Sequence, residues 1–236
     1  MMRRAIRALG TLLIVTGLGT LAWAGVVWQW QDPVTALYTY LEQRELADDY
    51  EERLAQYRGR PAEVQDEPVA GAAEIPVVEW RERLAGAAAA YRRSEGEGDA
   101  VGRLTVPRLG LEIVVVNGTD DDSLKRGPGR YLGSAMPGEG ELVYVAGHRT
   151  TYSAPFAKIE ALRPGDAVVL EVPYGRFEYR IAGHRIVEDS ALDVLESRGR
   201  EELALQACHP RFFASHRYIA YAEPVSVAPR LTAGGA

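Results

Sequence analysis

A single cysteine, Cys208, occurs in 236 residues, beside four histidines and three methionines. One cysteine closes no intramolecular disulfide, and no C-x-x-C pair is present to build a zinc cage. No H-E-x-x-H run occurs, so the histidines lack the spacing of a helical metal site. No G-x-x-x-x-G-K-[ST] or G-x-G-x-x-G run opens a helix, which removes the phosphate cradles. Positive charge is also scarce: 27 Lys and Arg stand against 33 Asp and Glu, a net charge of −6. No basic patch interleaved with aromatics offsets that balance, so no nucleic-acid partner is expected. The acidic run Asp120-Asp121-Asp122 lacks the D-x-D-x-D spacing of a calcium loop and reads as a helix cap. The sequence predicts no cofactor and no metal.

Charge vanishes altogether from Ala8 to Gln31. A bilayer core needs roughly 20 apolar residues in a helix, and this stretch supplies them. Trp23, Trp28 and Trp30 crowd its far end, where an aromatic belt would sit. Arg3, Arg4 and Arg7 precede it, and acids follow from Asp32 onward. That asymmetry predicts a single-pass anchor in the cell membrane, N-terminus cytoplasmic and the remaining chain extracellular. A cleaved signal peptide is the competing reading, because Ala22-Trp23-Ala24 resembles a cleavage site. The run continues past that point through Val26-Val27-Trp28, which favours the uncleaved anchor. Either way the rest of the chain is exported, where cysteines usually come in pairs. Cys208 is then a buried bystander, a dimer-forming thiol or a nucleophile.

Four segments are expected: a cytoplasmic tip and anchor (1–31), a helical stalk and linker (32–99), a catalytic β-domain (100–229) and a tail (230–236). In the stalk, one helix is predicted from Pro33 to about Arg58, with Leu37, Tyr40, Ala47, Tyr50, Leu54 and Tyr57 on one face. Arg60-Pro61 through Ile75-Pro76 has no apolar period and reads as a linker. A second helix runs from Val77 to Arg93, with Trp80, Leu84, Ala87 and Tyr91 along one side. From Val101 onward, short β-type runs alternate with Gly/Pro turns. They are Arg103–Pro107, Leu111–Val116, Glu141–Ala146, Ala167–Val172, Phe177–Val187, Leu203–Cys208 and Arg217–Val227. Such spacing predicts a mainly β domain, closed as a barrel or packed as a sandwich. Short helices are expected near Asp121–Lys125 and Ser190–Leu195.

The chemistry concentrates at strand ends. Cys208 ends one predicted strand, and Pro210 stops that strand, which leaves the thiol on the rim. His148 follows the strand Leu142–Ala146 through Gly147, and Arg217 opens the last strand. A thiol is mostly protonated at neutral pH, and its thiolate is the nucleophile. A nearby imidazolium or guanidinium favours the thiolate. A guanidinium can also hold the oxyanion that forms on attack at a peptide carbonyl, and a histidine can protonate the leaving amine.

At these residues the sequence resembles the sortases, most closely the class E sortases of high-GC Gram-positive bacteria. The resemblance rests on Gly102-Arg103-Leu104-Thr105-Val106-Pro107, Gly127-Pro128-Gly129-Arg130-Tyr131 and Ala146-Gly147-His148-Arg149-Thr150-Thr151-Tyr152. It continues through Leu162-Arg163-Pro164-Gly165-Asp166, Leu205-Gln206-Ala207-Cys208-His209-Pro210 and Arg217-Tyr218-Ile219. It implies a closed eight-stranded β-barrel, with His148 as general acid/base, Cys208 as nucleophile and Arg217 as oxyanion or substrate-orienting group. It further implies cleavage of a Leu-Ala-x-Thr-Gly or Leu-Pro-x-Thr-Gly type C-terminal sorting motif between Thr and Gly. The implied partners are surface proteins bearing that motif and a peptidoglycan-precursor or pilin amine as acceptor. Tyr131 stands where class E enzymes carry a tyrosine associated with the Leu-Ala choice. Ala207 departs from the family's usual Thr before the cysteine, at a position implied to contact substrate. A papain-like peptidase would place Cys before His, and an L,D-transpeptidase would carry a His-Gly-Cys type motif; neither pattern is present. A tethered binding domain without catalysis is the remaining rival.

Overall fold

The computed structural model describes residues 2–30, 33–59 and 75–229. The first helix, α1 (Met2–Trp30), carries Arg3, Arg4 and Arg7 in its first turns and no charge from Ala8 onward. Its stretch Arg3–Val26 packs against nothing and is long enough to cross a bilayer. Two further helices follow, α2 (Pro33–Gly59) and α3 (Val77–Ser94). The expected linker lies mostly outside the described residues, as does the 230–236 tail. Only Ile75–Pro76 of that linker is placed, as a two-residue strand β1 against the last strand.

Eight strands then close a barrel: β2 (Ala100–Val106), β3 (Leu111–Asn117), β4 (Gly129–Arg130), β5 (Leu142–Ala146), β6 (Ala167–Val172), β7 (Gly175–Glu188), β8 (Glu202–His209) and β9 (His216–Pro229). Hydrogen-bonded neighbours run β9-β7-β6-β2-β3-β4-β5-β8, and β8 pairs back onto β9 to seal the ring. Closure removes the unpaired edges that an open sheet would expose. β5 and β8 are parallel neighbours, with Leu142 registered to Glu202 and Ala146 to Gln206. Both are covered on their two faces over most of their length, which is why Leu142–Ala146 and Leu203–Leu205 read as continuous apolar runs.

Side-chain parity divides these strands cleanly. Val143, Val145, Leu203, Leu205, Ala207, Tyr218, Ala220 and Ala222 fill the barrel core. Leu142, Tyr144, Ala204, Ile219 and Tyr221 form a second cluster on the opposite face, joined by Val194, Leu195 and Tyr131. That outer cluster is the floor on which the candidate site sits.

Two local expectations changed. β4 falls within a segment that reads as a Gly-Pro-Gly turn, yet it pairs with both β3 and β5. Gly129 permits this, because a Cβ there would lie 1.9 Å from the Gly118 carbonyl oxygen. The short helix expected over Ser190–Leu195 is one 3-10 turn, Asp193–Leu195.

Both later helices lie against the barrel. Leu84, Ala88 and Tyr91 of α3 enter the main core. On α2, Leu46 and Tyr50 pack against Ala100, Val114 and Val116. The expected apolar face does not extend to the start of α2: Leu37 and Tyr40 are about 60 % exposed. Polar contacts dock that end instead. The Thr39 hydroxyl donates to the Lys125 carbonyl (2.7 Å), and the Gln43 amide both donates to the Val114 carbonyl and accepts from its N–H. Gln43 thus completes a β3 segment whose pairing with β4 begins only at Val116.

Candidate active site

Two neighbouring strands and the loop after a third carry the sequence-derived set. Cys208 on β8 and Arg217 on β9 are direct Cα partners in an antiparallel ladder. Directly opposed residues in such a ladder sit roughly 5 Å apart with side chains on the same face. On the other side of β8, Ala146 is registered to Gln206, and the Gly147 N–H continues that parallel ladder to the Gln206 carbonyl (2.9 Å). His148 follows next, at the start of the loop that leaves β5. Cys208 therefore lies between the strand that leads into the histidine loop and the strand that carries the arginine. Cys208 shares the parity of Ala204, and Arg217 that of Ile219 and Tyr221, so both face the outer cluster.

Each group has a distinct environment. Burial pushes the His148 imidazole below its ordinary value, opposed only by the negative charge of Asp121. The ring lies 5.1 Å from the Tyr152 ring. Cys208 is a free thiol of intermediate exposure. Arg217 is half-buried, and its Nη1 donates to the carbonyls of Ala214 (2.7 Å) and His216 (3.0 Å). Those bonds turn the guanidinium onto its own loop and leave Nε and Nη2 without a partner among the described residues. Two donors are therefore available at the level of the thiol.

Beside the thiol lies a patch of aromatic and polar side chains. The Tyr144 hydroxyl donates to Gln206 Oε1 (3.2 Å), and Tyr131 packs edge-on against Tyr144 at 6.5 Å. Tyr131 is fixed from behind: its N–H donates to the Tyr144 carbonyl, and the adjacent Arg130 is buried. Arg130 donates to Asn117 Oδ1 and to the carbonyls of Tyr131 and Ser134. Burial lowers its guanidinium to about 10. Ala207 is placed differently. Its methyl is fully buried in the barrel core, on the face opposite Cys208. Only its backbone borders the groove side of the strand.

One network behind the thiol is not visible in the sequence. Arg149, which follows His148, reads as a solvated charge but is 4 % exposed. Its Nη1 donates to the Cys208 carbonyl (3.1 Å), and its Nη2 pairs with Glu160 (2.5 Å). Arg149 thereby connects the histidine strand to the cysteine backbone. Nδ1 of His209 lies 3.1 Å from both Arg149 Nη1 and Glu160 Oε1. The two contacts exclude one another, since Nδ1 accepts from Arg149 when unprotonated and donates to Glu160 when protonated. The only sequence signal was the adjacency of Arg149 to His148; Glu160 arrives from a distant turn.

The loop after His148 carries three consecutive non-glycine residues at positive φ: Tyr152 (51°), Ser153 (59°) and Ala154 (41°). Each such residue costs about 1–2 kcal/mol. Among the described residues, no group of three or more His, Cys, Asp or Glu could hold a metal ion. The Asp120 carboxylate caps α4 (Asp121–Arg126) by accepting from the Asp122 and Ser123 N–H groups.

A family model described as "Sortase domain" matches residues 104–225, which is just over half of the chain. The chain belongs to the sortase family. Sortase D of Bacillus subtilis (strain 168) is 36 % identical over 134 residues, covering 55 % of this chain and 66 % of that protein. Sortase SrtE1 of Streptomyces coelicolor is 29 % identical over 158 residues, covering 59 % and 45 % respectively. The chain thus spans less than two thirds of the curated relatives it matches. Among solved structures, sortase E from Streptomyces avermitilis superposes with a TM-score of 0.53 at 31 % identity, covering 60 % of this chain and 97 % of that one. Sortase E1 from Streptomyces coelicolor with a tripeptide in the active site gives 0.54 at 27 %, covering 59 % and 95 %. The closed eight-stranded barrel preceded by an apolar helix is the architecture expected from the sequence. Relatives named sortase D and sortase E both match, so the family is established and the class is not.

Proposed function

We propose that this chain is a membrane-anchored cysteine transpeptidase of class E type, cleaving a sorting motif between Thr and Gly. The observation that carries the reading is the register: Cys208 lies opposite Arg217 on β9, and its other neighbour, β5, leads within two residues to His148. The segments 1–31, 32–99, 100–229 and 230–236 serve as anchor, helical support, catalytic barrel and tail. The arginines before α1 and the acids after it favour a cytoplasmic N-terminus and an extracellular barrel.

The chemistry follows from the environments. Burial favours the neutral form of His148. It takes the thiol proton as Cys208 Sγ attacks the Thr carbonyl carbon. The carbonyl π-electrons move to oxygen, and the free Arg217 donors hold that oxyanion. Collapse breaks the C–N bond, and the proton on His148 goes to the departing Gly amine, leaving an acyl-thioester. An incoming amine, from a wall precursor or a pilin, attacks the thioester and gives its proton to His148. Collapse then forms the new amide and returns the thiol. Tyr131 and Gln206 line the path for the residues before Thr, and Tyr131 favours Ala over Pro in the motif. The backbone of Ala207 borders the same path.

The test is the full chain in detergent with quenched Leu-Ala-x-Thr-Gly and Leu-Pro-x-Thr-Gly peptides and an amine acceptor. Products are identified by mass, with Cys208→Ala and Arg217→Ala alongside. The expected product is a Thr-linked amine adduct, preferred from the Leu-Ala peptide and absent in Cys208→Ala. No adduct from either peptide would overturn the proposal, and preference for the Pro peptide would overturn its class E part.

A further inference from the structure

The loop that carries His148 is held from outside the barrel by the first turns of α2. The Tyr152 N–H donates to Thr35 Oγ1 (3.0 Å), and the Ser153 hydroxyl donates to the Ala36 carbonyl (3.3 Å). The Tyr38 ring meets the Tyr152 ring edge-on at 6.3 Å, and the Tyr152 ring in turn lies 5.1 Å from His148. Inside the loop, the Phe156 N–H donates to the His148 carbonyl, and the Ala154 N–H to the Thr151 carbonyl. Tyr152 and Ser153 are two of the three left-handed residues, and they are the two that α2 contacts. Strained backbone of this kind persists only where neighbouring structure over-determines it.

We propose that Thr35 and Tyr38 are positioning residues, and that α2 holds the His148 loop in its working geometry. The inference rests on the reading of His148 as general acid/base. Thr35 follows the last residue of α1, Trp30, by five positions, a span of at most about 18 Å of chain. The clamp on the histidine loop is therefore supplied by the segment joined most directly to the apolar helix. Farther along, Thr39 and Gln43 fix α2 to the barrel through Lys125 and Val114. Those contacts fix the helix independently of the histidine loop, so loss of the Thr35 bond leaves α2 docked.

The experiment compares full-length wild type, Thr35→Val, Thr35→Ser and Tyr38→Leu in detergent. It measures amide exchange at Tyr152, the NMR titration of the His148 ring, and kcat and KM separately. For Thr35→Val, Tyr152 exchange rises at least about tenfold and the unfolding midpoint is unchanged. The His148 titration moves upward toward its ordinary value as the ring loses cover. kcat falls about tenfold with KM within about twofold, since misplacement acts on the chemical step. Thr35→Ser restores all three readouts, and Tyr38→Leu shifts the His148 titration in the same direction. Unchanged exchange and titration in Thr35→Val would overturn the proposal, as would a kcat loss that Ser does not rescue. Exchange and titration decide the clamp even when wild type shows no turnover, an outcome that would instead overturn the transpeptidase reading.

Discussion

Arg149 and Glu160 form an unequal pair, and removing each partner should have different consequences. The guanidinium is desolvated: its side chain is 4 % exposed and its Nε is buried without a partner among the described residues. The Glu160 side chain is 48 % exposed and re-enters water freely. Replacing Arg149 by Met keeps the packed stem and loses the charge-assisted hydrogen bond to the Cys208 carbonyl, about 1.5–3 kcal/mol, and the half-exposed Glu160 pair, about 0.5 kcal/mol. It also removes the buried, unpaired Nε, returning about 1–3 kcal/mol. The net for Arg149→Met is within about 1 kcal/mol of zero. Glu160→Leu leaves a buried cation with its charge partner gone. Breaking a fully buried pair costs about 3–5 kcal/mol, and the half-exposed acid reduces that to about 2 kcal/mol. Loss of the exposed partner is thus the more damaging change, and Arg149→Met/Glu160→Leu should match Arg149→Met alone. Urea unfolding of the full chain, followed by circular dichroism, reads all four proteins. If Arg149→Met proves the worst by more than about 2 kcal/mol while Glu160→Leu is neutral, the guanidinium is not desolvated and the argument fails.

Three further outcomes follow from other parts of the barrel. The folded His148 titrates below its ordinary value of 6.5, so the unfolded chain binds that proton first as pH falls. Stability contributed at this site is complete above 6.5 and declines as pH drops toward the folded value; His148→Gln should flatten that slope, and identical slopes in unfolding titrations would contradict it. The buried Glu201 carboxylate accepts from the Gly138 and Gly140 N–H groups and the Tyr179 hydroxyl. Glu201→Ala strands those donors and should cost about 3–5 kcal/mol, a thermal-melt loss of less than about 1 kcal/mol being the contrary result. Gly129→Ala forces a methyl onto the Gly118 carbonyl and should cost more than about 2 kcal/mol, with an unchanged melting temperature showing that the β4 strand yields.

The barrel strands were legible because alternation and continuous apolar runs are local signals. Leu142–Ala146 and Ala167–Val172 announced themselves, and the extra residues of β7 and β9 merely lengthened expected runs. The candidate set was legible from residue types and their order along the chain. What stayed hidden depends on where distant segments meet. Thr35, Thr39 and Gln43 dock α2 through hydrogen bonds to backbone, and polar residues spaced four apart leave no apolar stripe to read. The apolar Leu37 and Tyr40 drew attention to the wrong side of that helix. Glu160 reaches Arg149 only because the loop returns on itself, and β4 pairs only because two glycines let backbones approach.

The three groups proposed for catalysis straddle the seam where β8 meets β9 and the barrel seals. A chain made from its N-terminus holds His148 first, then Cys208, before Arg217 exists to face the thiol. The pairing that brings Arg217 opposite Cys208 is the same pairing that closes the wall. On the proposed reading the site is therefore assembled together with closure and never ahead of it. Fraying of this one seam would part Arg217 from Cys208 while the other strand pairings of the barrel still stood.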